Sequence, residues 1–420
     1  MAWWLALPLV LARLWWRGRR EPGYRQHIAE RLGIYSSLPI AREQQATIWI
    51  HAVSVGETRT AEPLVDAMLR AYPDHIILLT HMTPTGRATG QALFATYAPR
   101  VVQCYLPYDI ASMANRFLLH FKPRLCVLME TEVWPNTVAQ CVRHHVPVAL
   151  VNARLSARSL KKGQRMAALM RAAAKSLSCV AAQTAADAER LTELGARNVQ
   201  VTGSIKFDVA PPDSVRIGGA ELRRLFGTRP VLLCASTRDG EEELILDGLA
   251  SVSLDDVLLV IVPRHPQRFN DVARMIDARN LHMVRRSNLA DTPLAEDVQV
   301  LLGDSMGEMF SYYAACDVAF IGGSLLPLGG QNMIEACALG KPVLFGLHTF
   351  NFSLISDDAV EAGAAVRVPD AATMLREAIR LLRSESERTA RGVKALAFAE
   401  QHRGAAERTM NLLQPFLANN

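Results

Sequence analysis

The sequence predicts an α/β protein built from two doubly wound domains with parallel sheets, on three observations. Short apolar runs alternate with helical stretches through to the end, and runs such as Val318-Ala319-Phe320-Ile321 suit strands covered on both faces. The chain has 420 residues, which is long for one core and makes two domains of about 200 residues each the default. Midway, Ala210-Pro211-Pro212-Asp213-Ser214 continues through Gly218-Gly219 and reads as a linker. The expected division is an N-terminal segment 1–20, a first domain 21–210 and a second domain 211–420, the two domains facing a cleft.

Strands are expected in the first half near Ile48–Val53, Ile76–Thr80, Leu125–Met129, Val146–Val151, Ser178–Ala182 and Val199–Thr202. In the second half they fall near Val231–Ala235, Val257–Val262, Val298–Leu302, Val318–Ile321, Val343–Phe345 and Ala365–Val368. Such β-α alternation implies parallel sheets with helices on both faces. The last strands bracket a short helix, Met333–Leu339, which Gly340 stops and Pro342 follows.

A net charge of +5 is too small to argue for a nucleic-acid partner, and no basic-aromatic interleaving is present. It fits an enzyme working against an anionic surface or substrate. The seven cysteines include no C-x-x-C pair and mostly lie in apolar runs, so they read as buried, reduced thiols of a cytosolic body. Eleven histidines show no ligand spacing and D-x-D is absent from the sequence, so neither a metal site nor a cofactor is indicated.

Met1 to Ala12 is uninterrupted apolar sequence, followed by Arg13, Trp15, Trp16, Arg17, Arg19 and Arg20. A bilayer core needs about 20 apolar residues, so this segment is short for a span. Paired tryptophans beside an arginine cluster describe a segment lying in the membrane interface, cations on anionic headgroups. A hydrophobic helix docked on the protein, or a span made by local thinning, are the alternatives.

In open parallel sheets, ligands bind beyond the carboxyl ends of the strands. The distinctive polar runs fall there in succession. The first half carries His51-Ala52-Val53-Ser54-Val55-Gly56-Glu57, Glu130-Thr131-Glu132-Val133-Trp134-Pro135-Asn136, Asn152-Ala153-Arg154 and Gly203-Ser204-Ile205-Lys206. The second half carries Ser236-Thr237-Arg238-Asp239-Gly240-Glu241, Pro263-Arg264-His265-Pro266, Gly303-Asp304-Ser305-Met306-Gly307-Glu308, Gly322-Gly323-Ser324 and Gly329-Gly330-Gln331-Asn332-Met333-Ile334-Glu335. Asn332 with Glu335, and Ser305 with Glu308, each read alternatively as a capping box. As a site, the first pair holds the hydroxyls of a ribose, and the second marks a helix start beside Gly307 that seats a phosphate. Arg264, just past a strand end, either clamps that phosphate bidentately or is a solvated surface arginine.

These runs closely resemble the bacterial transferases that move 3-deoxy-D-manno-octulosonic acid (Kdo) from CMP-Kdo onto the lipid A precursor. The resemblance runs from Gly23-Tyr24-Arg25 to the final helix, with Ala29 where the family often has Gly before the glutamate of Glu30-Arg31-x-Gly33. It implies the GT-B architecture, with the acceptor on the N-terminal domain and the nucleotide on the C-terminal one. It also implies inverting, metal-independent transfer by an enzyme on the cytoplasmic face of the inner membrane, with CMP-Kdo and the lipid A precursor as substrates.

Under that resemblance Glu30 is the general base for the acceptor hydroxyl, on an expected helix Tyr24–Leu32 stopped by Gly33. Its alternative is a surface glutamate paired with Arg31 or another arginine. Replacing Glu30 by Ala is then expected to leave folding nearly intact while transfer collapses. Glu132 is a further catalytic candidate, and Lys206 is placed to meet the carboxylate of Kdo. Arg264, His265, Pro266, Ser305, Met306, Gly307, Glu308, Gly323, Asn332 and Glu335 form the expected donor site. Ser54, Gly56, Glu57, Arg154 and Arg158 form the expected acceptor site, the last two in a basic stretch that is otherwise a solvated helix face. A UDP-sugar transferase or epimerase of the same architecture is the rival enzyme, and a non-catalytic membrane scaffold the rival of another class.

Overall fold

The computed structural model describes residues 10, 12–19, 21–35, 45–157, 159–160, 167–208, 213–252 and 256–418. The chain forms two compact units, Met1–Asp208 with Arg403–Asn420, and Val209–His402.

The first unit holds β1 (Thr47–His51), β2 (Ile76–His81), β3 (Val101–Tyr105), β4 (Leu125–Met129), β5 (Val148–Ala153), β6 (Cys179–Ala182) and β7 (Val199–Val201). They form one sheet in the order β3-β2-β1-β4-β5-β6-β7. The pairings are parallel, because a helical crossover carries each strand back to the same sheet end. The central strands β1 and β4 are buried at every position, β4 through an apolar sequence and β1 through an apolar centre with Thr47 and His51 buried at its ends. Chain order reverses between these two, and that break leaves a crevice at their carboxyl ends.

The second unit repeats the plan with β8 (Val231–Thr237), β9 (Leu258–Pro263), β10 (Met283–Arg285), β11 (Val300–Leu302), β12 (Val318–Ile321), β13 (Val343–Phe345) and β14 (Ala365–Arg367). Their order is β10-β11-β9-β8-β12-β13-β14, again parallel. Here the reversal lies between β8 and β12.

Every expected strand is present. The edge strands β3 and β10 were not among the expected ones. The first has Gln103 at its centre and the second is only half-buried throughout, so neither shows the apolar run of a covered strand.

The C-terminal boundary needs correction. Expected to close the second domain, the last helix, Ala405–Leu417, belongs to the first unit. Its Ala405, Ala406, Leu413 and Leu417 join the core on one face of the first sheet, with Ile48, Leu64 and Val127. Asp208 fastens its start by accepting from the backbone N–H of Gly404, Ala405 and Ala406.

The expected helix Tyr24–Leu32 is also corrected. A 3-10 turn, Pro22–Arg25, is separated from a single helical turn, Ile28–Arg31, by His27 in the left-handed region (φ 54°). Gly33 does end that turn with positive φ (75°), as its lack of a Cβ allows. Among the described residues no helix is long and apolar enough to cross a membrane. All seven cysteines are buried free thiols.

Candidate active site

Glu30 is buried, not at the surface, and its carboxylate is held from three directions. Oε2 accepts from the Arg87 guanidinium and from the Tyr105 backbone N–H, both at 2.8 Å. Oε1 faces His27 Nδ1 at 3.2 Å, and that imidazole is the half-exposed side of the pocket. The arginine partner is therefore Arg87, not Arg31. Arg31 stacks on the Tyr105 ring at 3.8 Å and donates to the Met82 carbonyl.

At the carboxyl ends of β1, β4 and β5, three carboxylates gather. Glu57, in the first turn of the helix Val55–Ala71, reaches back to accept from the Val53 backbone N–H. Burial, together with the charges of Glu132 and Glu130, pushes its carboxyl up to about 7. Burial also raises Glu132, although the Trp134 indole N–H donates to it at 3.0 Å. Trp134 therefore has a polar partner. Lys206 Nζ lies 2.8 Å from Glu130 Oε1, so the cation expected to meet a sugar carboxylate already holds an internal one. Glu130 (φ 55°) and Asn152 (φ 51°) both take left-handed backbone at their strand ends, and Asn152 receives the Ile205 N–H that positions Lys206.

Ser54 and Gly56 flank this group, with space open over Gly56. Arg154 is exposed just past β5. Arg158 lies outside the described residues, as do Lys161 and Lys162.

In the second unit the reversal between β8 and β12 is organised by Glu241, fully buried. Its Oε2 accepts from the N–H of Arg238 (2.9 Å) and of Gly323, and its Oε1 from those of Ser324 and Leu325 at 2.9 Å each. One carboxylate thus ties the loop after β8 to the loop after β12. Arg264, at the end of β9, donates its N–H to the Thr237 carbonyl at 2.9 Å, bringing a third strand end into register. Arg264, His265 and Pro266 are exposed there. Burial and the guanidiniums of Arg238 and Arg264 hold His265 below the usual imidazole range.

Neither pair reads as a simple capping box. Ser305 Oγ pairs with the Tyr312 hydroxyl at 3.1 Å and Glu308 with Arg286 at 2.8 Å, while the helix Met309–Ala315 has no side-chain cap. Gly307 (φ 85°) has open space around it and Met306 is exposed. The helix expected over Met333–Leu339 is shorter, Ile334–Ala338. Asn332 accepts from the Ile334 N–H and donates to Glu335 Oε1 at 3.3 Å, so the two side chains are joined to one another. Among the described residues, no group of three His, Cys, Asp or Glu side chains is placed to hold a metal ion.

Sequence reading did not single out Arg87, Tyr105 or Glu241, whose roles come from contacts 57 to 84 residues apart.

Two doubly wound parallel sheets, each with polar loops at its chain reversal, define the GT-B architecture. UDP-GlcNAc 2-epimerase from Neisseria meningitidis, solved bound to UDP-GlcNAc, shares that fold, with a TM-score of 0.59 at 15% identity over 88% of this chain and 100% of that one. The family model described as 3-Deoxy-D-manno-octulosonic-acid transferase (kdotransferase) matches residues 26–209. The 3-deoxy-D-manno-octulosonic acid transferase of Bordetella pertussis is 44% identical over 98% of this chain and 96% of its own. That of Haemophilus influenzae is 38% identical at the same coverage. The chain belongs to the 3-deoxy-D-manno-octulosonic acid transferase family and is a glycosyltransferase.

Proposed function

We propose that this chain transfers Kdo from CMP-Kdo to a hydroxyl of the lipid A precursor, in lipopolysaccharide core biosynthesis, with inversion at the anomeric carbon. Family membership supports the transferred sugar. The observation that carries the donor reading is the Glu241-tied chain reversal, where Arg264 stands without an internal ion pair among the described residues.

In this reading Arg264 and the open backbone around Gly307 receive the phosphate of CMP beside Gly323, and the joined Asn332 and Glu335 receive its ribose. As the glycosidic bond breaks, its electron pair leaves with the phosphate oxygen. Glu30 takes the acceptor proton at Oε1, because Oε2 is already engaged by Arg87 and Tyr105. The acceptor hydroxyl oxygen forms the new bond from the face opposite CMP. Ser54, Gly56 and Arg154 serve the acceptor, with Glu57 and Glu132 lining the same sheet edge.

With the leaving charge carried by guanidinium, neither a divalent ion nor a cofactor is called for, and EDTA is expected to leave the rate unchanged. The proposed setting is the cytoplasmic face of the inner membrane, against its anionic surface, where such an acceptor resides; no nucleic acid takes part.

The test is a transfer assay with CMP-Kdo and the tetraacylated lipid A precursor, products sized by mass spectrometry, with UDP-sugars in parallel. Addition of Kdo only with the cytidine donor is expected. Turnover of a UDP-sugar in place of CMP-Kdo would sink the proposal.

A further inference from the structure

We propose that Arg238 is a specificity-determining residue that grips the carboxylate of the donor sugar, while the neighbouring Arg264 takes the donor phosphate. The inference rests on the reading of the donor as CMP-Kdo. Kdo is a 2-ulosonic acid, so its anomeric carbon bears a carboxylate as well as the phosphate ester. A site for this donor therefore needs two cationic seats side by side, whereas a UDP-aldose presents no sugar carboxylate.

The loops at the β8 reversal supply that pair. Arg238 directly follows β8 and Arg264 follows β9, its hydrogen-bonded neighbour. The Arg264 N–H donates to Thr237, the residue before Arg238, so the two arginines start from one hydrogen-bonded point. Arg238 is further fixed by its own N–H on Glu241 Oε2, the atom that also binds the Gly323 N–H. Gly323 has φ of +70°, and a Cβ built on it would meet the Arg238 side chain at 3.6 Å. The Arg238 side chain thus runs beside bare backbone at the crevice, where a donor sugar arrives.

The acids that would ordinarily neutralise Arg238 are engaged elsewhere. Asp239 pairs with Arg268 at 2.9 Å, and Glu242 with Arg268 at 3.5 Å and Thr237 at 3.0 Å. Glu241 accepts only backbone N–H groups. Among the described residues no carboxylate forms an ion pair with Arg238 or Arg264. Two arginines on adjoining strand ends without counter-ions repel one another, and both guanidiniums, after burial, act to hold the nearby His265 imidazole down. An anionic ligand relieves that repulsion. Lys206, the sequence-based candidate for the sugar carboxylate, is bound to Glu130 instead.

The experiment measures binding of CMP and of freshly prepared CMP-Kdo to the full chain and to its Arg238→Ala, Arg238→Lys and Arg264→Ala variants. Arg238→Ala is expected to weaken CMP-Kdo about 30-fold, the size of a lost charge-assisted contact, and to leave CMP within about 2-fold. Retained CMP affinity also certifies the fold. Arg238→Lys is expected to lose less, since it keeps charge but not the planar fork. Arg264→Ala weakens both ligands. Equal losses for CMP and CMP-Kdo in folded Arg238 variants, or no loss for either, overturn the assignment. If Arg238→Ala does not fold, Arg238→Lys decides by the same criterion. Failure of the parent chain to bind CMP-Kdo removes the donor reading itself, a distinct result.

Discussion

Arg87 and Glu30 form a buried ion pair, 2.8 Å from Nη1 to Oε2, with side chains only 11% and 6% exposed. The pair alters what a substitution at Glu30 will do. Alanine leaves the Arg87 guanidinium and the Tyr105 N–H without their acceptor at a largely buried position. Removing one member of such a pair costs about 3 kcal/mol, so Glu30→Ala is expected to lose both stability and transfer. Glu30→Gln keeps an acceptor oxygen and nearly the same volume, so it separates the effects. It should lose about 1–2 kcal/mol in urea unfolding while transfer collapses with CMP affinity unchanged. A Gln variant retaining parental turnover takes Glu30 out of the reaction.

Glu57 gives the first unit a pH signature whose sign is fixed. Its carboxyl is raised from 4.5 to about 7, burial first and the charges of Glu132 and Glu130 next. Between those values the folded chain binds the proton more tightly than the unfolded chain. This group's contribution therefore falls as pH rises from 4.5 to 7 and is level above. Glu57→Gln removes the titration. Melting temperatures from pH 5 to pH 8 should decline less steeply in Glu57→Gln than in the parent. Parallel curves contradict the proposed origin of the slope.

Glu241→Gln tests the tie at the second chain reversal. Four backbone N–H groups converge on the two carboxylate oxygens, and an amide would turn its own NH2 toward two of them. The expected loss is about 2–4 kcal/mol, because two buried donors are left unpaired. CMP affinity should fall with it, although Glu241 itself faces no ligand, since the loops of Arg238 and Gly323 lose their common anchor. Undiminished CMP affinity in the folded variant separates the tie from nucleotide binding.

The fold was legible where burial was complete. Runs such as Leu125–Met129 and Val318–Ile321 are covered on both faces and carry no polar residue, so sequence and structure agree to the residue. Val101–Tyr105 and Met283–Arg285, each with one neighbour strand, tolerate polar residues and leave no such trace. The same limit governs the site. Strand-end runs are local and could be placed by the rule for parallel sheets, but their partners are distant. Nothing near Glu30 in sequence indicates Arg87, and nothing near Gly323 indicates Glu241. Local signatures also misled: Ser305 and Glu308 have capping spacing, yet Tyr312 and Arg286 compete for them.

The proposed membrane contact is tested best by point substitution. Deleting residues 1–20 would uncover Tyr24, Tyr108, Ile110 and Met113, which Leu14 helps to bury. Trp15 and Trp16 are 59% and 64% exposed, more than a docked apolar helix needs. Arg25 lies over the Trp15 ring at 4.1 Å and Arg17 over Tyr24 at 4.3 Å, which steadies the segment against the body. Beside them Arg13, Trp16, Arg17, Glu21 and Tyr24 line a cavity of about 650 Å³. Aromatic rings next to arginines suit a headgroup layer, where rings take the acyl boundary and cations the phosphates. Replacing Trp16 by Glu removes about 2 kcal/mol of apolar burial at such a boundary and adds a repelled charge. Binding to anionic vesicles should fall at least about 30-fold, with turnover on detergent-dispersed acceptor preserved. If the variant sediments with vesicles as fully as the parent, the attachment lies on another surface.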